Sequence, residues 1–242
     1  FLDGEALSEF APPGVLTYAD EEVAAAVEEA HLRGMRVVCH SRSAAAVKQA
    51  VRHGVDIIGH ANYLDDEAVR MLEAKRDEIF VGPGIAWEIA LLDRGSELGL
   101  PRDAMEQRGY QREIDETISA VKRLRESKVR VLIGGDYGLN ITPHGTNSKD
   151  LEYFVDLFGM SAAEALLCAT RDGGAAADSS GMVGTLEEGK YADLLIIDGN
   201  PIEDIRILQD HSRIVGVMKD GVMHCALMQK NPYVAPNEQM EG

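Results

Sequence analysis

Three residues are of types that bind a divalent metal, and they stand at equivalent places in the chain. His40 closes the run Arg36-Val-Val-Cys-His40, and His60 closes Asp56-Ile-Ile-Gly-His60. Asp136 follows Val129-Arg-Val-Leu-Ile133 within Gly134-Gly-Asp-Tyr-Gly138. Neutral imidazole and carboxylate suit a metal of the zinc class. Such an ion acidifies a bound water and makes hydroxide available near neutral pH. An aspartate beside it can act as base toward that water and as acid toward the leaving group. One His at a strand end is commonly a structural, hydrogen-bonded residue, and Asp after Gly-Gly is a common turn residue. The signal lies in three of them recurring at equivalent positions.

The segments that must place these residues follow a repeat. Asp20 reads as an N-cap before EEVAAAVEEAHLR, which Gly34 ends. The run to His40 is a short β-branched strand, and SAAAVKQAVRH with Gly54 behind it is the next helix. The run to His60 is a second strand, followed by a helix from Asp65 to about Lys75. Ile79–Gly84 is a third strand, ending in a Pro/Gly loop. Residues 86–100 are apolar and fit either a lid or an inserted helix. Pro101 opens a helix expected to run to Ser127, with Ile114, Ile118, Val121 and Leu124 on one face. Val129–Ile133 is a fourth strand, and two helices are expected near 147–158 and 161–171. Strand–helix alternation with strands apolar throughout means an α/β fold with a buried parallel sheet. Sites in such folds sit at the C-terminal ends of the strands, where the loops converge. His40 and His60, about one strand–helix unit apart, then stand on adjacent strands.

From Gly181 the pattern changes to short strands with Gly, Asn and Asp turns. Lys219-Asp220-Gly221 is a hairpin signal. The expected division is 1–178 for the strand–helix unit, 179–226 for a small β-structure, and 227–242 for an extended tail.

Composition limits the function classes. The 242 residues carry a formal charge of −17, which disfavours a nucleic-acid partner or an anionic membrane surface. The hydrophobic fraction is 45% with only 5% aromatics, so the core is mainly Ala, Val, Leu and Ile. No run approaches the roughly 18 apolar residues of a membrane span. Cys39, Cys168 and Cys225 form no CxxC pair, and Cys39 sits in an apolar run as a buried small hydrophobe. A cytoplasmic location is the expectation from this cysteine usage. The first residue is Phe1, and the natural N-terminus is expected upstream.

Five segments together resemble the amidohydrolase superfamily, in the branch of imidazolonepropionase and related dipeptidases. They are VVCHS; GVDIIGHA; LIGGDYG with TPHGTN; SAAEALLCATRDGGAAAD; and GTLEEGKYADLLIIDGNP with VMKDG. The resemblance implies a (β/α)8 TIM-type barrel, of which strands 4/5 to 8 lie here, with part of a small β-sandwich. It implies one or two divalent ions, Zn²⁺ first and Co²⁺, Mn²⁺ or Fe²⁺ as alternatives, with His40, His60 and Asp136 as ligands from strands five, six and eight. The family's HxH pair and its bridging, often carboxylated, lysine are absent, as expected if an N-terminal half precedes this sequence. A homo-oligomer is the family's habit. The implied activity is hydrolysis of a C–N bond in a small molecule: an amide, carbamate, urea or cyclic amide. The alternatives are ester, lactone or phosphotriester hydrolysis on the same scaffold, and a non-catalytic scaffold protein.

Other positions follow from the same resemblance. His144, on the loop after Asp136, is a candidate for contact with the scissile carbonyl, or a plain loop His. Tyr18, after the position of the missing lysine, is a candidate substrate contact. Arg42 stands where small residues are common; it either reaches the rim to meet a substrate anion or starts a helix. Trp87 and Tyr137 are either an aromatic wall or core. His31, His53, His211 and His224 are structural or solvated. Gly135 stands where Thr or Ser is common.

Overall fold

The computed structural model describes residues 1–8 and 10–226. The tail expected from Leu227 lies outside the described residues. In chain order the elements are α1 Asp20–His31, β1 Val38–Ser43, α2 Ala44–His53, β2 Ile57–Tyr63, α3 Asp66–Ala74, β3 Phe80–Gly82, α4 Ile85–Arg94, α5 Arg102–Gln107, α6 Tyr110–Glu126 and β4 Arg130–Val131. Then come α7 Lys149–Asp156, α8 Ala162–Leu167, a π turn Cys168–Asp172, α9 Gly173–Ala177 and the strands β5 Leu194–Ile197, β6 Ile214–Lys219 and β7 Val222–Ala226.

Strands β1 to β4 form one parallel sheet in sequence order. Helices pack against it around a core mainly of small and aliphatic side chains, with Ile58, Val81 and Val131 buried from the strands. Local chemistry sets the helix ends. Ser43 Oγ accepts the Ala46 N–H at the start of α2, and Gly54 closes it at φ +79°. Asp65 caps α3 through the Ala68 N–H at 2.8 Å. Asp20 lies inside the first turn of α1 instead of capping it. Glu22 accepts the Ala19 N–H, while Gln49 and Arg52 bind the Asp20 carboxylate.

One expectation is corrected, and one left open between a lid and an inserted helix is decided for the helix. The helix read as continuous from Pro101 to Ser127 is two helices, because Gly109 adopts φ +91° and reverses the chain between α5 and α6. The ambiguous stretch 86–100 is mostly α4, with Ile85, Trp87, Glu88, Leu91 and Leu92 buried. Strands β5–β7 form a separate antiparallel sheet. Its β6–β7 hairpin pairs Lys219 with Val222 across Asp220 (φ +48°) and Gly221 (φ +75°). Two successive left-handed residues are what a two-residue type I′ turn requires.

A buried polar cluster ties α4 and α6 to the sheet. Arg42 of β1, Asn62 of β2, Glu88 of α4, and Glu113 and Thr117 of α6 are all fully buried. Arg42 Nη1 donates to Glu113 and lies 3.4 Å from Glu88 Oε1 and from Asn62 Oδ1. Asn62 Nδ2 donates to Glu88 Oε1 at 2.5 Å and to Thr117 Oγ1 at 2.6 Å. Thr117 Oγ1 lies 2.8 Å from the Glu113 carbonyl and 3.0 Å from Glu88 Oε2. A hydroxyl has one proton to give. With that proton on the Glu113 carbonyl, the contact to Glu88 closes when Glu88 is itself a carboxylic acid donating from Oε2. Burial pushes the Glu88 carboxyl up to about 8, with Glu113 beside it adding to the shift. Its folded-state pKa is thus raised, so this stability is present below pH 4.5 and lost as pH rises to about 8. The variant Glu88→Gln keeps the shape and the donor. Its stability relative to wild type, measured by denaturant unfolding, should be near parity at pH 4.5 and rise on the order of a few kcal/mol by pH 9.

Candidate metal centre

Parallel pairing sets His40 opposite Gly59 and Ser41 opposite His60, so the two imidazoles arise almost level at the ends of adjacent strands. Their ring centroids lie 4.3 Å apart in an edge-on arrangement. His60 Nε2 faces Asp136 Oδ2 at 3.5 Å. His40, His60 and Asp136, singled out in the sequence, are therefore brought together.

Sequence reasoning missed a fourth member of the group. Glu5 Oε1 lies 3.5 Å from His40 Nδ1. One donor atom from each of Glu5, His40 and His60 falls within 4.8 Å of the others. Glu5 arrives because its segment runs beside β1, with the Leu2 N–H donating to the His40 carbonyl at 2.8 Å. The signal was present: FLDGE is an apolar pair followed by an acid, the same strand-end pattern as VVCH and IIGH. The segment 1–5 is not itself a strand, and this concealed it.

The donor set fits a divalent metal. His40 Nε2 and His60 Nδ1 are buried and have no hydrogen-bond partner, an arrangement that costs stability unless a ligand satisfies it. Burial, together with the positive charge of Arg42, lowers the pKa of both histidines, His60 well below the ordinary value. Neutral imidazole is the form that binds metal. Burial raises the Asp136 carboxyl above the usual range.

The backbone is strained where the ligands stand. His60 (φ +73°), Ala61 (φ +54°) and Asp136 (φ +56°) all occupy the left-handed region. Such residues cost of order 1–3 kcal/mol each and cluster at functional sites. Gly84 makes room for the His60 ring: a Cβ there would lie 2.6 Å from His60 Nδ1. Asp150 braces the loop of Asp136. It is buried and accepts the Tyr137 hydroxyl at 3.0 Å and a backbone N–H of Gly134, and burial pushes it up to about 7. Gly135 is explained by the same packing, since a Cβ there would meet Asp150 Oδ1 and the Tyr137 ring at 2.5 Å and Ala86 at 2.7 Å.

The remaining candidates are spread out. Arg42 is corrected: it does not stand on the rim to meet a substrate anion, because its side chain is 0% exposed and surrounded by carboxylates. His144 is exposed beside Gly138, with no side-chain hydrogen bond among the described residues. Tyr18 is half-exposed and lines an apolar groove with Phe1, Val23, Val27, Val38 and Cys39, and the Phe1 ring lies 4.2 Å from that of His40. Trp87 is core, and the Tyr137 hydroxyl serves Asp150. His31 pairs with Asp56 at 2.9 Å, and His211 with the Gly145 carbonyl.

Comparison with known proteins identifies the family and the fold. Residues 2–223 match the profile of the Amidohydrolase family. The chain is 26% identical over 225 residues to an ochratoxinase of Aspergillus niger, covering 93% of this chain and 44% of that protein. It is 26% identical over 190 residues to an imidazolonepropionase of Sphingopyxis alaskensis, covering 77% of this chain and 41% of that one. The crystal structure of an Xaa-Pro dipeptidase with methionine bound in its active site superposes with a TM-score of 0.79 at 28% identity, over 93% of this chain and 53% of that one. The chain thus spans about half the length of the relatives it matches. Its four parallel strands and their helices are part of an amidohydrolase (β/α) barrel, and no helix among the described residues is long and apolar enough to cross a membrane. The chain belongs to the amidohydrolase family.

Proposed function

We propose that this chain carries half of the catalytic centre of a hydrolase that cleaves a C–N bond in a small molecule, most simply an amide. A divalent metal, Zn²⁺ first, is held by His40, His60 and Asp136. The observation that carries the reading is the meeting of His40 and His60, each with one buried ring nitrogen that has no hydrogen-bond partner, with Asp136 facing His60 Nε2 at 3.5 Å, at the C-terminal ends of parallel strands. Among the described residues β1 and β4 are the outermost strands of the sheet, with residues 1–5 already running beside β1, and these two sides are where further strands would pair. We therefore include in the proposal a preceding segment of the same protein that supplies the remaining strands and ligands.

A bound ion supplies polarisation of the scissile carbonyl and an acidified water. The protein's part is positional. His40 and His60 are kept neutral by burial and held level by the strand pairing. Asp136 turns Oδ2 toward His60, and Oδ1 is the oxygen that takes a proton from the attacking water and returns it to the departing nitrogen. His144 sits on the loop beyond Asp136, at the place from which a substrate carbonyl could be contacted. Tyr18 is proposed to bound the substrate space from the β1 side. The ochratoxinase and the Xaa-Pro dipeptidase among the relatives support an amide as the bond, and a small acylated or dipeptide amide as the substrate class.

Three outcomes test this reading on the intact protein. His60→Ala should lose bound metal, measured by elemental analysis of the purified protein, and with it amide hydrolysis. Asp136→Asn should lower kcat by about 10²–10⁴-fold, as removal of a general acid–base does; full activity in either variant defeats the reading. In Gly84→Ala, the new methyl would press on the His60 ring, and the left-handed backbone would be strained. Metal affinity should fall although no donor atom has changed, which a chelator competition reads directly. A panel of Xaa-Pro dipeptides and N-acyl amino acids against matched esters settles the bond class, and cleavage of esters alone would move the assignment to an esterase.

A further inference from the structure

The Arg42 guanidinium is the one cation of the buried cluster described above, and it is built from five places in the chain. Its partners are Glu113 of α6, Glu88 of α4, Asn62 of β2 and Glu5 of the N-terminal segment, with Arg42 itself on β1. The contact with Glu5 faces the metal centre. Arg42 Nη2 donates to Glu5 Oε2 at 3.0 Å, while the other oxygen, Oε1, lies 3.5 Å from His40 Nδ1. Glu5 is therefore gripped by one oxygen and offers the second to the imidazole pair. Asp3, two residues earlier, anchors the same segment: its carboxylate accepts the N–H groups of Arg42 and Ser43, both at 2.8 Å. The charges point the same way. Glu113, Glu88 and Glu5 all draw on a single guanidinium. Glu5 Oε1 faces His40 Nδ1, and one donor atom from each of Glu5, His40 and His60 falls within 4.8 Å of the others, close enough for one cation to meet all three.

We propose that Glu5 is a protein ligand of the metal centre and that Arg42 is the positioning residue that holds it there. The inference rests on the metal site proposed above. It assigns Arg42 to the ion and not to a substrate anion. No part of its side chain faces solvent, so a substrate carboxylate would have to displace Glu5 or Glu113 to reach it. An Arg suits the task because its planar fork can bind carboxylates on different sides at once, which a lysine ammonium does with less directional control.

The test uses cobalt(II) as the probe in the intact protein, read by chelator competition and by the visible absorption of the bound ion. Glu5→Gln should weaken cobalt binding by about 10–100-fold, in the range seen when groups that support metal ligands are removed. Arg42→Met should weaken it less, by about tenfold, and should shift the cobalt absorption, because the carboxylate is no longer oriented. The double variant should bind no more weakly than Glu5→Gln alone, since Arg42 acts through Glu5. With a substrate bearing a free carboxylate and its neutral amide analogue, Arg42→Met should change both reactions by the same factor. Unchanged affinity and absorption in Glu5→Gln overturns the proposal, and that variant decides the matter if Arg42→Met does not fold. A rise in KM confined to the anionic substrate, with cobalt binding intact, returns Arg42 to a substrate role and also overturns it. Wild-type protein that takes up no cobalt defeats the metal centre itself. Wild-type protein that binds cobalt no better than Arg42→Met and Glu5→Gln defeats only the inference drawn here.

Discussion

The parallel hydrogen bonding of β1 to β2 is the constraint on which the rest depends. It places Ser41 opposite His60 and His40 opposite Gly59, so two imidazoles from positions 40 and 60 meet at a ring separation of 4.3 Å. A parallel pair lets each strand end at the same side of the sheet, and the loops leaving those ends converge. Gly59 also has to be small, since a Cβ there would lie 3.1 Å from the Cys39 carbonyl. Asp136 joins from two strands further along by a bend in the left-handed region. The rigid sheet thus places two of the candidate ligands, and a strained loop braced by Asp150 places the third.

The second organising feature is electrostatic. Burying Arg42 without partners would be prohibitive, and the chain meets this by drawing carboxylates from α4, α6 and the N-terminal segment onto one guanidinium. That requirement fixes where α4 lies. An apolar helix over the sheet could be accommodated in several ways, but one carrying a buried Glu88 that must meet Asn62, Thr117 and Arg42 has a single seat. The same cluster reaches the candidate metal centre through Glu5. Core polarity, helix placement and ligand geometry are in this way one arrangement.

Strain, orphaned polar atoms and small residues coincide at the centre. His60 and Asp136 have left-handed backbones. His40 and His60 each keep a buried nitrogen without a partner. Gly84 and Gly135 leave space that a Cβ would fill. Each is unfavourable or permissive by itself, and none is needed to fold an α/β sheet. Their concentration within one neighbourhood is the pattern expected where stability has been given up for a site.

Much of this was legible in the residues alone. The apolar, β-branched runs ending at His40 and His60 predict strands because alternation with capped helices admits few other folds, and the Asp-Gly pair at 220–221 predicts its hairpin because only a type I′ turn suits both positions. The metal-binding types at strand ends identify the candidate ligands, since period and side-chain chemistry are local properties. Gly109 was read as helix interior because a helix of good formers on both sides masks one glycine, and Asp20 was read as a cap because its competing partners Gln49 and Arg52 lie on another helix. The meeting of Glu5 with Arg42 and His40 was beyond sequence reasoning for the same reason. Whether a charged side chain faces solvent, a substrate or a buried partner is decided by residues 37 to 71 positions away along the chain. Sequence by itself determined the repeating units and the chemistry available at their ends. Only the tertiary structure decided which charges meet, because Coulombic and desolvation energies depend on distance and burial in space, and local sequence encodes neither.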